Sequence, residues 1–222
     1  MCKTVIFDVD GTLFDSSEGI KESIRYTLVN QNIEMLSEKE LNEFVGFSPL
    51  FGAFKHFCKL DDNLAQTCCE IYRKYYKDEK AYKQSQVYEG IYELLETLKT
   101  QGYKLGVATY KRQDYAVDLM KHFGFDKYFT SICGADNENK LKKFDILQNC
   151  MQELGNNKKE TILIGDSYHD GLAAAQMGVG FIGVTYGFGF KTKEEVNKYN
   201  PILCADKVNE IIEYFTKEEI SV

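Results

Sequence analysis

Short apolar runs that stop at a polar or glycine turn recur along the chain, with amphipathic stretches between them. The first, Val5-Ile6-Phe7, ends at Asp8-Val9-Asp10-Gly11-Thr12. Later runs lie within Tyr103–Thr109, Thr161–Asp166 and Gly180–Thr185, and Tyr128–Gly134 shows the same character more weakly. β-Branched and aromatic runs of this length, bounded by turn residues, read as buried strands. Between them apolar positions recur at helical spacing: Ile91, Leu94, Leu95 and Leu98; Tyr115 to Phe123; Phe144 to Leu154; and Ala173 to Met177. A last helix over Val208 to Phe215 closes this part, and 218–222 reads as a loose tail. Strands alternating with helices predict a parallel sheet covered on both faces. The expected class is therefore α/β, with a Rossmann-like, doubly wound parallel core.

Residues 16–84 follow another pattern. Ile20, Ile24 and Leu28 recur at helical spacing, and Ser37-Glu38-Lys39-Glu40 fits a capping box opening a short helix through Phe44. Asp61-Asp62 can cap a long helix running towards Lys80, whose Tyr72, Tyr75 and Tyr76 read as packing residues. No convincing strand is present. The expected organisation is a core of residues 1–15 and 85–222, with an all-helical cap of residues 16–84 inserted after the first strand.

Composition narrows the function classes. A chain of 222 residues, 44% apolar, can bury a sizeable core. A formal charge of −7 argues against a nucleic-acid partner. The seven cysteines match no zinc spacing and read as reduced thiols of a cytoplasmic protein. No apolar stretch approaches the ~18 residues of a membrane span, so no membrane partner is expected.

Chemistry enters at the strand ends, where α/β proteins place their ligands. Asp8 and Asp10 sit where the first strand stops, and paired carboxylates there are costly unless a cation, hydrogen bonds or chemistry compensates them. Thr109 ends another predicted strand, Asp166 and Asp170 follow a third, and Lys143 stands where a helix begins. Singly, each has a plain structural explanation, as a turn or a helix cap. In a parallel sheet these ends share one edge, so the groups can converge.

The segment Asp8-Val9-Asp10-Gly11-Thr12-Leu13-Phe14-Asp15-Ser16, followed by Thr109, Lys143 and Gly165-Asp166-Ser167-Tyr168-His169-Asp170, resembles the four motifs of the haloacid dehalogenase superfamily. The likeness is to its phosphatases with a helical cap after the first strand, in particular phosphoglycolate-phosphatase-like and nucleotidase-like members. It implies a Mg²⁺-dependent phosphatase hydrolysing small phosphorylated metabolites through a phospho-aspartate. By that resemblance Asp8 is the nucleophile and Asp10 the general acid and base. Mg²⁺ is held by the Asp8 carboxylate, the Asp10 carbonyl and Asp166. Thr109, Lys143 and the backbone near Val9, Asp10 and Tyr110 bind the phosphoryl group, while Asp170 orients metal-bound water or Lys143. Tyr110 departs from the small residue usual there. Lys140, Lys142 and Lys143 compete for the lysine role, and Lys143 is preferred because a helix start follows it. His169 is read as a bystander. Gly46-Phe47-Ser48-Pro49 resembles the cap loop that meets the substrate.

Two further readings stay open on the residues alone. One is a sugar phosphomutase like β-phosphoglucomutase; the other is a non-enzymatic phospho-acceptor. The expected partner is a small phosphorylated metabolite, and the expected assembly a monomer or weak dimer.

Overall fold

The computed structural model describes residues 3–47, 49–136, 140–155 and 158–220. They divide into two units, one built from Met1–Phe14 with Val87–Val222 and the other from Asp15–Gln86.

The first unit is organised around β1 (Thr4–Phe7), whose four residues are all buried. β1 pairs in parallel with β4 (Lys104–Arg112) on one side and β6 (Thr161–Gly165) on the other. β5 (Ser131–Ala135) extends the sheet beyond β4, and β7 (Gly180–Val184) and β8 (Leu203–Ala205) extend it beyond β6. The order β5-β4-β1-β6-β7-β8 is parallel throughout. Two-residue strands β2 (Phe14–Asp15) and β3 (Gln86–Val87) form a separate pair at the unit boundaries.

Helices α5 (Ile91–Thr100), α6 (Gln113–His122), α7 (Lys143–Leu154), α8 (Tyr168–Met177), α9 (Lys193–Asn197) and α10 (Val208–Ile220) connect and close the sheet. The chain steps outward from β1 through β4 to β5, then returns and steps the other way through β6, β7 and β8. Right-handed crossovers therefore place α5 and α6 on one face and α7 and α8 on the other. Consistent with this, α7 packs on α8, and α10 on α5. Between α7, α8 and the sheet lies a core of Ile6, Ala108, Ile146, Leu147, Leu163, Ala174 and Phe181. The reversal of strand order at β1 and β6 opens a crevice at their C-terminal ends, where such folds bind ligands.

The structure departs from the sequence reading at several elements. The second strand was expected to end at Thr109, but β4 continues to Arg112, which pairs with Ala135 after a register irregularity beyond Ala108. That irregularity bends the strand and re-aims the residues it carries. β8 and α9 were not foreseen; three residues of Leu-Cys-Ala and a five-residue helix carry too little periodicity to register.

The second unit holds α1 (Ser17–Asn30), α2 (Glu38–Val45), α3 (Leu50–Cys58) and α4 (Asp62–Asp78). Ser37 closes the expected capping box: its Oγ accepts from Glu40 N at 3.3 Å, and its own N–H donates to Glu40 Oε2 at 2.8 Å. Asp61 accepts from Leu64 N at 2.9 Å and starts α4. Ile24, Leu28, Leu41, Phe44, Phe54, Ala65, Cys68 and Cys69 form the core of this unit. The tyrosines pack as expected: Tyr72 stacks on Tyr76, and Tyr75 on Tyr26. α3 was not foreseen, because Leu50-Phe51-Gly52-Ala53-Phe54 is nearly all apolar and lacks a polar face.

Among the described residues no helix is long and apolar enough to cross a membrane, and the described cysteines form no disulfide.

Candidate active site

Four elements of the first unit deliver their polar ends to one place. β1 stops at Asp8, whose N–H donates to Ile164 O of the neighbouring strand at 2.9 Å. The chain then turns tightly, with Leu13 N and Phe14 N both donating to Val9 O. Gly11 permits this turn: its φ is +81°, and a Cβ there would lie 2.3 Å from Asp166 Oδ2. The turn and the end of β6 are therefore in direct contact, and only glycine leaves room for it.

Lys143, the first residue of α7, is almost fully enclosed. Its Nζ lies 2.7 Å from Asp8 Oδ1 and 2.8 Å from Asp170 Oδ1. Of the three lysines weighed from sequence, Lys143 is the one placed against Asp8, while Lys140 and Lys142 are held elsewhere through backbone amides donating to Asp136 and Asp145. Asp170 occupies the first turn of α8, and its Oδ2 accepts from Ser167 N at 3.1 Å and Ser167 Oγ at 2.5 Å. This capping box fixes Asp170 by its Oδ2 and leaves Oδ1 to face Lys143.

Asp166 is gripped by the loop after β7. Phe188 N and Gly189 N donate to its Oδ2 at 2.7 and 2.9 Å, and Phe190 N donates to its carbonyl at 2.7 Å. Tyr186 ties the same loop to the turn after β1, donating from its hydroxyl to Thr12 O at 3.1 Å. Sequence reasoning missed this loop. Its signal was present in Gly187 and Gly189, which follow a strand end.

Carboxylate oxygens of Asp8, Asp166 and Asp170 all lie within 4.8 Å of one another. Burial pushes the Asp8 carboxyl from 3.8 up to about 6, although Lys143 opposes the shift. Burial, with Asp8 and Asp170 adding repulsion, pushes Asp166 from 3.8 up to about 7, against the pull of two backbone amides. Lys143 would lose its proton more readily through burial alone, but Asp170 and Asp8 together raise its pKa well above the ordinary lysine value.

Asp10 turns to a different lysine. Its Oδ1 lies 2.9 Å from the Nζ of buried Lys111, a residue the sequence reading did not single out. Lys111 stands two positions beyond Thr109, on the irregular stretch of β4 past Ala108; the early end assigned to that strand hid it. Thr109 is buried, and its hydroxyl accepts from Lys111 N at 3.1 Å while keeping its own proton to donate. Tyr110 faces Lys143: its hydroxyl accepts from Lys143 N at 2.9 Å, and its ring meets His169 edge-on at 5.0 Å. Val9 is wholly buried as a side chain, leaving only backbone to address a ligand.

Four carboxylates, Asp8, Asp10, Asp166 and Asp170, thus face two ammonium groups, Lys111 and Lys143. Asp8, Asp10 and Asp170 each point a buried Oδ1 at one of these ammonium groups. An all-oxygen donor set in which carboxyl groups outnumber ammonium groups fits a hard divalent cation such as Mg²⁺. The side-chain grouping brings in Asp170 beside Asp8 and Asp166, whereas the sequence reading gave Asp170 an orienting part and counted Asp10 through its carbonyl.

The cap-loop residues belong to the second unit. Gly46 ends α2, Phe47 stacks on His56 with ring centroids 5.3 Å apart, and Pro49 precedes α3. Ser48 lies outside the described residues.

Comparison with known proteins agrees with this geometry. The family profile described as haloacid dehalogenase-like hydrolase matches residues 5–184. A 5'-nucleotidase of Pseudomonas aeruginosa is 34% identical over 204 residues, covering 91% of this chain and 90% of its own. A pyrophosphatase, PpaX, of Halalkalibacterium halodurans is 34% identical over 199 residues, covering 89% of each. Among solved structures, a haloacid dehalogenase-like hydrolase from Streptococcus pneumoniae superposes with a TM-score of 0.87 at 31% identity, over 96% of this chain and 98% of that one. Sheet order, strand-end carboxylates and sequence match together assign the chain to the haloacid dehalogenase-like hydrolase family.

Proposed function

We propose that the protein is a Mg²⁺-dependent phosphatase that hydrolyses small phosphorylated metabolites through a phospho-aspartate intermediate. The observation that carries this reading is the Lys143 ammonium shared between Asp8 and Asp170, with Asp166 close by. Relatives named as a 5'-nucleotidase and a pyrophosphatase point the same way, since both names describe attack at phosphorus.

A phosphate ester dianion repels an anionic nucleophile, so its charge must be offset first. Asp8 and Asp166, with the Asp10 carbonyl, would hold Mg²⁺, which when bound supplies Lewis-acid charge to the phosphoryl oxygens. Lys143 holds Asp8 by Oδ1 and leaves Oδ2 to attack phosphorus, forming an O–P bond as the ester oxygen departs. Asp10 gives that oxygen a proton. In the second half Asp10 takes a proton from water as the water attacks phosphorus, releasing phosphate and restoring Asp8. The Thr109 hydroxyl and the turn amides donate to the transferring group, and Asp170 keeps Lys143 in place.

The test is phosphate release from p-nitrophenyl phosphate with and without Mg²⁺, in the wild type and Asp8→Asn. The substitution keeps shape and removes the nucleophile, so kcat should fall by about 10³-fold or more. Full activity of Asp8→Asn, or turnover indifferent to Mg²⁺ after chelation, would refute the reading.

A further inference from the structure

The two carboxylates of the Asp8-Val9-Asp10 turn are served by different lysines. Lys143 meets Asp8 at 2.7 Å, and Lys111 meets Asp10 at 2.9 Å. The second pair is buried on one side only: the Lys111 side chain is 4% exposed, that of Asp10 24%. Asp10 Oδ1, the oxygen facing Lys111, is itself buried. The exposed part of the Asp10 carboxyl therefore lies away from the lysine, towards Oδ2. The lysine is in turn fixed at its base, where its amide donates to the Thr109 hydroxyl on a bulged stretch of β4.

We propose that Lys111 is a positioning residue for Asp10, holding Oδ1 so that Oδ2 faces the oxygen leaving phosphorus. The inference rests on the reading of Asp10 as proton donor. In that step the bond from phosphorus to the ester oxygen breaks, the Asp8–phosphorus bond forms, and the proton on Asp10 Oδ2 passes to the departing oxygen. Proton transfer needs hydrogen-bond reach, and a misplacement of about 1 Å can cost ~10²-fold. Lys111 then matters in proportion to how badly the leaving group needs a proton. Stable phenolates depart unaided, and basic ones do not.

The experiment measures kcat and KM for para-substituted phenyl phosphates, from nitro to methoxy, in the wild type, Lys111→Met and Asp10→Asn. Lys111→Met should lose about 10–100-fold in kcat on the methoxy ester, less than about threefold on the nitro ester, and leave KM within about threefold. Asp10→Asn should show the same trend more steeply. The ratio between esters is independent of how much protein is folded, so a merely structural defect does not move it. Should Lys111→Met yield no folded protein, Lys111→Gln, whose amide can still donate to Oδ1, supplies the ratio, with a smaller but selective loss expected. Equal losses on both esters at Lys111, with a selective loss at Asp10, would overturn the positioning role and leave the reading of Asp10 intact. Equal losses at Asp10 would overturn that reading and the inference with it.

Discussion

At the scale of the residue, Lys143 carries the heaviest electrostatic duty, because two enclosed carboxylates depend on its single charge. Removing one partner of a buried ion pair costs about 3–5 kcal/mol, since the charges left behind are uncompensated. Lys143→Met should therefore lower stability by up to that amount and reduce kcat by about 10²-fold or more. Lys140→Met and Lys142→Met should behave as the wild type, which a thermal melt and a phosphate-release assay on the three variants would check. From sequence these lysines differed only in what followed them; the helix start at Phe144 pointed to the one that meets Asp8. Lys111 was not legible in the same way, because its partnership with Asp10 spans a hundred positions and its strand was read as ending too early. A lysine in a short polar stretch looks like a solvated side chain until the fold encloses it.

At the scale of the element, the central strands were the most legible, since Val5-Ile6-Phe7 is buried throughout, Ile162-Leu163-Ile164 is buried but for a half-buried Ile162, and both read as continuous apolar runs. The helices with regular spacing, such as α5 with Ile91, Leu94, Leu95 and Leu98 inward, were equally plain. Edge strand β8 was not, because a three-residue strand owes its conformation to its neighbour rather than to its own composition. The loop after β7 was also silent, since its work is done by backbone amides, which every residue type carries. Its close approach can still be tested. A Cβ on Gly187 would lie 2.2 Å from Gly11 O and 2.5 Å from Asp166 Cβ. Gly187→Ala should thus cost about 1–3 kcal/mol through overpacking. It should also weaken Mg²⁺ binding by displacing Asp166, which a melt and a calorimetric Mg²⁺ titration of the same sample would read.

At the scale of the whole molecule, the acidic site ties stability to pH and to the cation. Asp8 and Asp166 bind protons more tightly when folded, with values raised from 3.8 to about 6 and about 7. The folded state then holds more protons than the unfolded chain, so the contribution of these groups is full below the unfolded value and is lost as pH rises through those two values. Metal-free protein should accordingly be less stable at pH 8 than at pH 5 in this respect. Mg²⁺ replaces the lost protons, so its stabilising effect should be larger at pH 8. At about 100 times its Kd, a ligand adds ~2.7 kcal/mol, or about 5–10 °C for a chain of this size. Melting curves at both pH values, with Mg²⁺ or with chelator, check this. An equal Mg²⁺ shift at the two pH values would count against a cation at these carboxylates.

The discontinuous first unit also has a bearing on biosynthesis. β1 leaves the ribosome well before its partners β4 and β6, which begin at Lys104 and Thr161, and the contiguous helical unit of Asp15–Gln86 is made in between. The nascent chain must carry Thr4–Phe7 unpaired while that unit emerges, and only a late, long-range pairing brings the strand to the middle of its sheet. During that interval it is a short apolar segment with open edges, of the kind that chaperones shield and that aggregates when they are scarce.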